Sequence, residues 1–511
     1  MPPGPVPPRP ERVAPRLLTE LFERRSGVTW AGSDRAGVRL SGVSLNSGAV
    51  RPGDLYAALP GARAHGADFA AAAAAAGAVA VLTDLAGRDR AERTGLPVVV
   101  VSTPRAILGA LAGEVYGRPA ESLLLVGVTG TNGKTTTAYL VEAGLRAAGH
   151  RTGLIGTVET RVADAVLPSV RTTPEAPDVH ALLAVMRERG VGAVAMEVSS
   201  HALVFGRVDG LRYDAAVFTN LSQDHLDFHG GMADYYAAKA SLFTPERAAA
   251  AVINVDDPYG ARLAAEASVP LVTVSPAGTT GADWVAAGVS VGPASSTFRL
   301  RGPGPTEVPA AVRLPGRFNV DNAALAIVAA VSVGVPPDRA AAGVAGLSTV
   351  PGRMERIDAG QPFLAVVDYA HTPEAVENLL AALRPATAGR LLVVLGCGGD
   401  RDRDKRPRMG AAAATGADLA IFTTDNPRSE DPGVILEAML TGAGAVRGAA
   451  PMVEPDRAAA IALAVALARS GDTVVIAGKG HEQGQEAGGV VVPFDDRCVL
   501  RAALLAAGSA G

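Results

Sequence analysis

At 511 residues the chain exceeds the size at which one hydrophobic core stops growing, which predicts roughly two to four domains. Its 48% hydrophobic content comes with only 4% aromatic residues; much of it is alanine, which buries little surface, so the composition excludes a membrane protein. The formal charge of −4 excludes a general field for nucleic acid, and two cysteines, Cys397 and Cys498, exclude a disulfide framework and suit a reducing, cytoplasmic compartment.

Residues 1–10 read M-P-P-G-P-V-P-P-R-P, without the apolar stretch of a secretory signal, and predict a disordered Pro-rich tail over 1–15. The alanine run 70–76 is followed too soon by Gly77 and Asp84 to span a membrane and predicts a helix on a sheet. Apolar runs at 55–59, 78–82 and 98–101 predict short strands, hence an N-terminal α/β domain over 16–120. A helical pattern from Pro104 is lost at Gly117-Arg118-Pro119, which reads as a linker.

From Leu123 the pattern sharpens into a strand at 123–128, a glycine-bearing turn and a helix at 135–148. Strands at 191–196 and 215–219 and helices at 179–189 and 233–243 continue the alternation of a mostly parallel sheet, giving a central domain over 121–348. Residues 275–307, rich in Gly, Pro, Ser and Thr, predict only irregular or edge-strand structure. After Pro351-Gly352 the strands 363–367, 391–395, 419–423 and 474–477 predict a third, Rossmann-like α/β domain over 349–511.

The turn Gly127-Val128-Thr129-Gly130-Thr131-Asn132-Gly133-Lys134-Thr135-Thr136-Thr137 places glycines where backbone N–H groups can close around phosphates. Lys134 would neutralise the β and γ phosphates, and the Thr135 hydroxyl would reach the magnesium ion between them. Its first glycine stands one position away from the strict G-x-x-x-x-G-K-[ST] spacing. Kinases, ATPases and ligases all hold phosphates in this way, so the loop alone leaves the reaction open. Two polar clusters, Met196-Glu197-Val198-Ser199-Ser200-His201 and Asp224-His225-Leu226-Asp227-Phe228-His229, follow strand ends, where one parallel sheet gathers its ligands.

The loop T-G-T-N-G-K-T-T, with M-E-V-S-S-H, N-L-S-Q-D-H-L-D-F-H-G, Y-Y-A-A-K-A-S-L-F, G-R-F-N-V-D-N, G-R-M-E-R, D-Y-A-H-T-P, D-N-P-R and G-K-G-H-E, resembles the Mur ligases of peptidoglycan synthesis. The displaced glycine is also that family's pattern. The resemblance implies three domains: one for the uridine end of the substrate, a central P-loop domain for ATP, and a C-terminal domain for the incoming amino acid. It implies that ATP converts a D-glutamyl carboxylate to an acyl phosphate, which an amine then attacks. Within the family the motifs are similar to those of the branch that adds 2,6-diaminopimelate to UDP-N-acetylmuramoyl-L-alanyl-D-glutamate.

Carried over by motif, the resemblance puts ATP against Gly130, Thr131, Asn132, Gly133, Lys134, Thr135, Thr136, Asn322, Arg353, Asp368 and His371. It makes Lys134, Glu197, His225 and Lys239 catalytic, with Mg2+ held by Thr135, Glu197, His225 and a carbamate formed on Lys239 from carbon dioxide. It places Leu45, Ser47, Arg63, Ala64 and His65 near the uridine diphosphate, and Thr172, Thr173, Ser199, Arg207 and Lys239 near the muramoyl dipeptide. This sequence reads Leu45-Asn46-Ser47-Gly48 where the family has D-S-R after the leucine. Arg401, Asp425, Asn426, Pro427, Arg428, Gly478 and Glu482 are implied around diaminopimelate. Arg428 is suited to hold the distal carboxylate bidentately, Glu482 the distal ammonium and Arg401 a substrate carboxylate.

Diaminopimelate should therefore be preferred to lysine, with the meso form expected on family frequency alone. The rivals are a lysine-adding ligase of the same family, a folylpolyglutamate synthetase and a P-loop ATPase or binding module without ligase activity. Neither nucleic acid nor membrane insertion is expected, and monomer is the default.

Overall fold

The computed structural model describes residues 8–61, 63–292 and 294–508. Three separate sheets organise it, taken in chain order. The first has five strands, with Gly42–Ser44, Asp54–Ala57, Ala80–Thr83 and Pro97–Val100 parallel and Thr29–Gly32 antiparallel at one edge. The alanine run forms the helix Ala70–Ala75 against it, as its composition predicts. The helix Pro104–Val115 ends where Gly117 and Arg118 take positive φ, which stops helical hydrogen bonding.

The second sheet has eleven strands. Its parallel centre runs Thr152–Ile155, Ala193–Glu197, Leu124–Thr129, Ala215–Phe218, Ala251–Asn254, Leu271–Ser275. Being covered on both faces, these strands read as continuous apolar runs. The helices Lys134–Ala147 and Arg317–Ser332 cover one face, and Ala176–Glu188 and Met232–Ala240 cover the other. Stretch 275–307 corrects its expectation: Trp284–Val291 and Ser296–Arg301 are regular, mutually antiparallel strands paired on both sides, and the sheet edge is Glu307–Val312. A register shift between Ala287 and Ser290 breaks the alternation there, which is why the sequence pattern is weak.

The third sheet orders Glu355–Arg356, Leu364–Val367, Thr473–Ala477, Leu391–Leu395, Leu419–Phe422 and Met452–Val453, all parallel except the first. A hairpin, Gly484–Ala487 with Val490–Pro493, lies beyond it. Among the described residues no helix is long and apolar enough to cross a membrane.

Residues 1–7 of the expected tail lie outside the described residues. Residues 8–15 correct that expectation, since they are docked. The Glu188 carboxylate accepts from the backbone N–H groups of Glu11 and Arg12, and the Arg9 guanidinium pairs with Asp54 and donates to the Tyr116 hydroxyl.

The first and second blocks meet along the helix Pro104–Val115. A Cβ at Gly109 would lie 2.1 Å from the Asp209 carbonyl, so only glycine permits this approach. Beside it the buried His180 faces that carbonyl at 3.2 Å through Nε2, while Nδ1 has no hydrogen-bond partner. Burial, partly offset by the Asp209 carbonyl, pushes the imidazole down to about 4. Below about pH 6.5 the unfolded chain gains a proton that the folded one refuses, so stability falls as pH drops toward 4. We expect His180→Gln to remove on the order of 3 kcal/mol of this acid-side loss, read by denaturant titration at neutral and acidic pH. Identical slopes for both proteins would refute it.

Candidate active site

Strand Leu124–Thr129 delivers the phosphate-type loop at its carboxyl end, and helix Lys134–Ala147 leads away from it. Gly133 has φ 84°, and a Cβ there would sit 2.3 Å from Asn322 Oδ1. Left-handed backbone and close packing together require glycine. This backbone cradle at a helix N-terminus is suited to bind a polyphosphate.

A cavity of about 780 Å³ opens over the loop, walled by the second and third blocks. Thr131, Asn132, Gly133, Lys134, Thr135 and Thr136 line it, with Thr172, Glu197, Ser199, His225, Lys239, Asn322, Arg353, Asp368 and His371. Distant segments of the sequence therefore converge on one space.

Two lysines, Lys239 buried and Lys134 half-buried, meet at a single oxygen. Lys134 Nζ donates to the carbonyls of Gly130 at 3.0 Å and Thr131 at 2.8 Å, and Lys239 Nζ donates to the same Gly130 oxygen at 2.6 Å. Burial, reinforced by the Lys134 charge, holds Lys239 well below the usual lysine range. Its ammonium lies 4.7 Å from the Tyr235 ring centroid, and the residue is 1% exposed. Such a site favours the neutral, nucleophilic amine.

Glu197 ends strand Ala193–Glu197 and accepts from the Thr135 hydroxyl at 2.9 Å, the Thr157 hydroxyl at 3.0 Å and the Thr157 N–H at 2.7 Å. Arg353 donates to the same Thr135 hydroxyl at 3.1 Å, tying the third block to the loop. His225 has φ 54° and faces Asp224 at 3.4 Å, and His371 faces the same carboxylate at 3.8 Å. Burial pushes His225 down to about 3 and His371 to about 4. Burial raises Asp224, yet these rings and Lys405 hold its carboxyl below the usual range. At neutral pH the carboxylate is ionised and His225 presents a neutral imidazole, the form that can ligate a metal. Among the described residues no three His, Cys, Asp or Glu side chains form a metal cage. The hydroxyl of Thr135, the carboxylate of Glu197 and this imidazole instead fit magnesium, which takes few protein ligands and completes its shell with phosphates and water.

The third block gathers the expected amino-acid residues at the carboxyl ends of three adjacent strands, where open α/β sheets bind ligands. Asp425 and Asn426 are buried, Gly478 borders the Asp425 carboxylate, and Arg401 is exposed at the same edge. Arg428 donates to the Gly399 carbonyl at 2.6 Å, and Glu482 accepts from Asn426 at 2.8 Å. None of these lines the large cavity; a ladder of Arg353, Tyr369 and His481 runs between the two regions. His225, Met354, Asp400 and Arg428 all have left-handed backbone and lie in or beside these two sites, where strain commonly collects.

Several expected residues stand elsewhere. Thr173 does not face the cavity: it is fully buried, donating to the Glu197 carbonyl at 2.8 Å and accepting from Ser199 N–H. Arg207 pairs with Glu175 at 3.0 Å outside the cavity lining. Leu45, Ser47, Arg63, Ala64 and His65 lie in the first block, away from the cavity. Leu45 packs partly into the core, Ser47 starts the short helix Ser47–Ala49, and Arg63 and Ala64 are exposed. Both His65 ring nitrogens are engaged, one by Ala67 N–H and the other by Asp84 at 3.0 Å. The sequence assigns no role to Thr157, Tyr235, Lys479 or Glu486, although Tyr235 and Lys479 lie inside the Y-Y-A-A-K and G-K-G-H-E motifs and Thr157 stands just beyond a parallel strand.

Three family models cover these blocks: "Mur ligase family, catalytic domain" over 39–116, "Mur ligase middle domain" over 128–330, and "Mur ligase, glutamate ligase domain" over 352–480. The chain is 58% identical to a Streptomyces avermitilis protein named UDP-N-acetylmuramoyl-L-alanyl-D-glutamate--2,6-diaminopimelate ligase, over 98% of each. A Corynebacterium glutamicum protein of the same name is 50% identical over 91% of this chain and 92% of its own. A solved structure of a ligase of that name superposes with TM-score 0.66 at 32% identity, covering 97% of this chain and 100% of that one. The fold also matches that of MurF ligase from Thermotoga maritima, solved in complex with ADP, with TM-score 0.62 at 20% identity over 91% of this chain and 96% of that one. With three models matched in order and relatives of this identity along its whole length, the chain belongs to the Mur ligase family.

Proposed function

We propose that the chain joins 2,6-diaminopimelate to the D-glutamyl carboxylate of UDP-N-acetylmuramoyl-L-alanyl-D-glutamate at the expense of ATP, in cytoplasmic peptidoglycan precursor synthesis. The observation that carries this is Arg428, held at a sheet edge by Gly399 in a chain 58% identical end to end to a relative bearing that name.

The carboxylate is a poor electrophile at neutral pH. Its oxygen attacks the γ-phosphorus of ATP, ADP leaves, and the resulting acyl phosphate accepts the amine. Collapse of the tetrahedral adduct expels phosphate, and the amine gives up its proton. The glycine loop and Lys134 hold the transferring phosphoryl group, while Arg353 reaches the loop from the third block and draws the two blocks over the reacting atoms. Asn322 lies against the loop, with Asp368 and His371 across the cavity for the nucleoside and phosphates. Magnesium, when bound, neutralises phosphate oxygens; Thr135, Glu197, His225 and a carbamate on Lys239 are the residues that would hold it. The depressed Lys239 amine supports carbamate formation, because only the neutral amine attacks carbon dioxide.

Thr172 and Ser199, on the cavity wall, are assigned to the muramoyl dipeptide, and the Leu45 and 63–65 segments to the uridine diphosphate. Glu482, Asn426 and Arg401 surround the amino acid with Arg428, and the meso stereoisomer is the form assigned. The chain is assigned as a monomer.

Phosphate release should require ATP, magnesium, the nucleotide dipeptide and diaminopimelate together, measured by omitting each in turn. Release without dipeptide or amine would identify an ATPase instead, and equal turnover of lysine would identify the lysine-adding branch.

A further inference from the structure

Beside Arg428 stands a second acidic residue whose position the tertiary structure alone reveals. Glu486 lies in the hairpin strand Gly484–Ala487, which is stitched to the D-N-P-R loop. Arg428 N–H donates to the Glu486 carbonyl at 3.0 Å, Glu486 N–H donates to Asn426 Oδ1 at 2.9 Å, and Gly488 N–H donates to the Arg428 carbonyl at 2.7 Å. These backbone bonds fix Glu486 against the arginine, and its carboxylate reaches Arg428 Nε at 3.5 Å.

The charges around this pocket are not equivalent. Lys479 is fully buried and spends its ammonium on Asn426 Oδ1 at 3.0 Å, Glu482 Oε2 at 2.9 Å and the Gly484 carbonyl at 2.7 Å. All three N–H groups are satisfied, so Lys479 balances Glu482 locally. Arg428 and Glu486 are both partly exposed and form the pair that a ligand can reach. An amino acid's end group is itself a pair of opposite charges on one carbon. A carboxylate arriving at Arg428 brings its geminal ammonium within reach of a carboxylate already lying against the same guanidinium.

We propose that Glu486 is a specificity-determining residue that accepts the distal ammonium of the amino-acid substrate while Arg428 takes the distal carboxylate. This deepens the diaminopimelate reading and rests on it. An ammonium has three N–H donors, and Glu482, with one oxygen already committed to Lys479 and Asn426, does not satisfy them alone. Glu486 supplies the further acceptor and makes the pocket select a zwitterionic end group over a bare carboxylate.

The test compares wild type and Glu486→Gln on diaminopimelate and on 2-aminopimelate, which keeps the distal carboxylate and lacks the distal ammonium. The variant should lose about tenfold or more in kcat/KM for diaminopimelate, mainly through KM, with 2-aminopimelate little changed, so the ratio of the two narrows. An unchanged ratio overturns the proposal, whether both substrates are untouched or both decline equally through a displaced Arg428. Wild type that fails to use diaminopimelate would overturn the parent reading instead. Equal thermal midpoints for the two proteins guard against misfolding, and Glu486→Asp, which retains the charge, should restore part of the ratio.

Discussion

Lys239→Ala is expected to lower kcat by roughly a thousandfold, in line with losing a charged group that stabilises the transferring phosphoryl. In the folded chain the ammonium is withdrawn from solvent and shares the Gly130 carbonyl with Lys134. Burial, and the Lys134 cation beside it, work against the charged form of Lys239 and favour the neutral amine. The proposed carbamate would exchange a potential cation for an anion beside the residues proposed to hold magnesium. Alanine removes that anion and leaves room for a small one. Short carboxylates such as acetate should therefore restore part of the rate of Lys239→Ala and leave wild type unaffected. Undiminished activity in the variant would remove Lys239 from the mechanism, and a loss without rescue would remove the carbamate.

Arg428→Ala should lower kcat/KM for diaminopimelate by about a hundredfold or more and nearly close the gap to lysine. The guanidinium is oriented by the Gly399 carbonyl and by Glu486, so its fork is set before substrate arrives. Without it the distal carboxylate enters a pocket whose remaining neighbours include Glu486, and repulsion replaces a bidentate pair. Arg428→Lys should recover little, because a point charge does not reproduce the planar fork. Parallel measurement with meso-diaminopimelate, LL-diaminopimelate and lysine reads the result. A preserved preference for diaminopimelate would show that selection lies elsewhere.

The outcome at individual residues separates what a local pattern carries from what it does not. Strand, loop and helix around Gly130 were legible because glycine spacing and apolar runs act over a few residues. Glu197 and His225 were legible because strand ends of a parallel sheet point to one edge, and the structure brings both to the cavity. Thr172 and Thr173 read alike in the sequence, yet Thr172 faces the cavity while the Thr173 hydroxyl supports the Glu197 backbone, a distinction of side-chain direction that adjacency hides. The docking of Arg9, Glu11 and Arg12 was missed because proline-rich composition reports the lack of regular structure and says nothing of partners such as Asp54 and Glu188 more than forty residues away.

By itself the sequence determined a three-part α/β chain with a phosphate loop, a Mur ligase pattern and an arginine suited to a second carboxylate. These features depend on periodicity, glycine conformation and functional-group chemistry, all of which are local. Only the tertiary structure decided that Lys134 and Lys239 share one carbonyl, that both nitrogens of His65 are already engaged, and that Glu486 lies against Arg428. Protonation, side-chain direction and charge pairing depend on neighbours that chain folding brings together across tens to hundreds of residues, and no spacing along the chain encodes those distances directly.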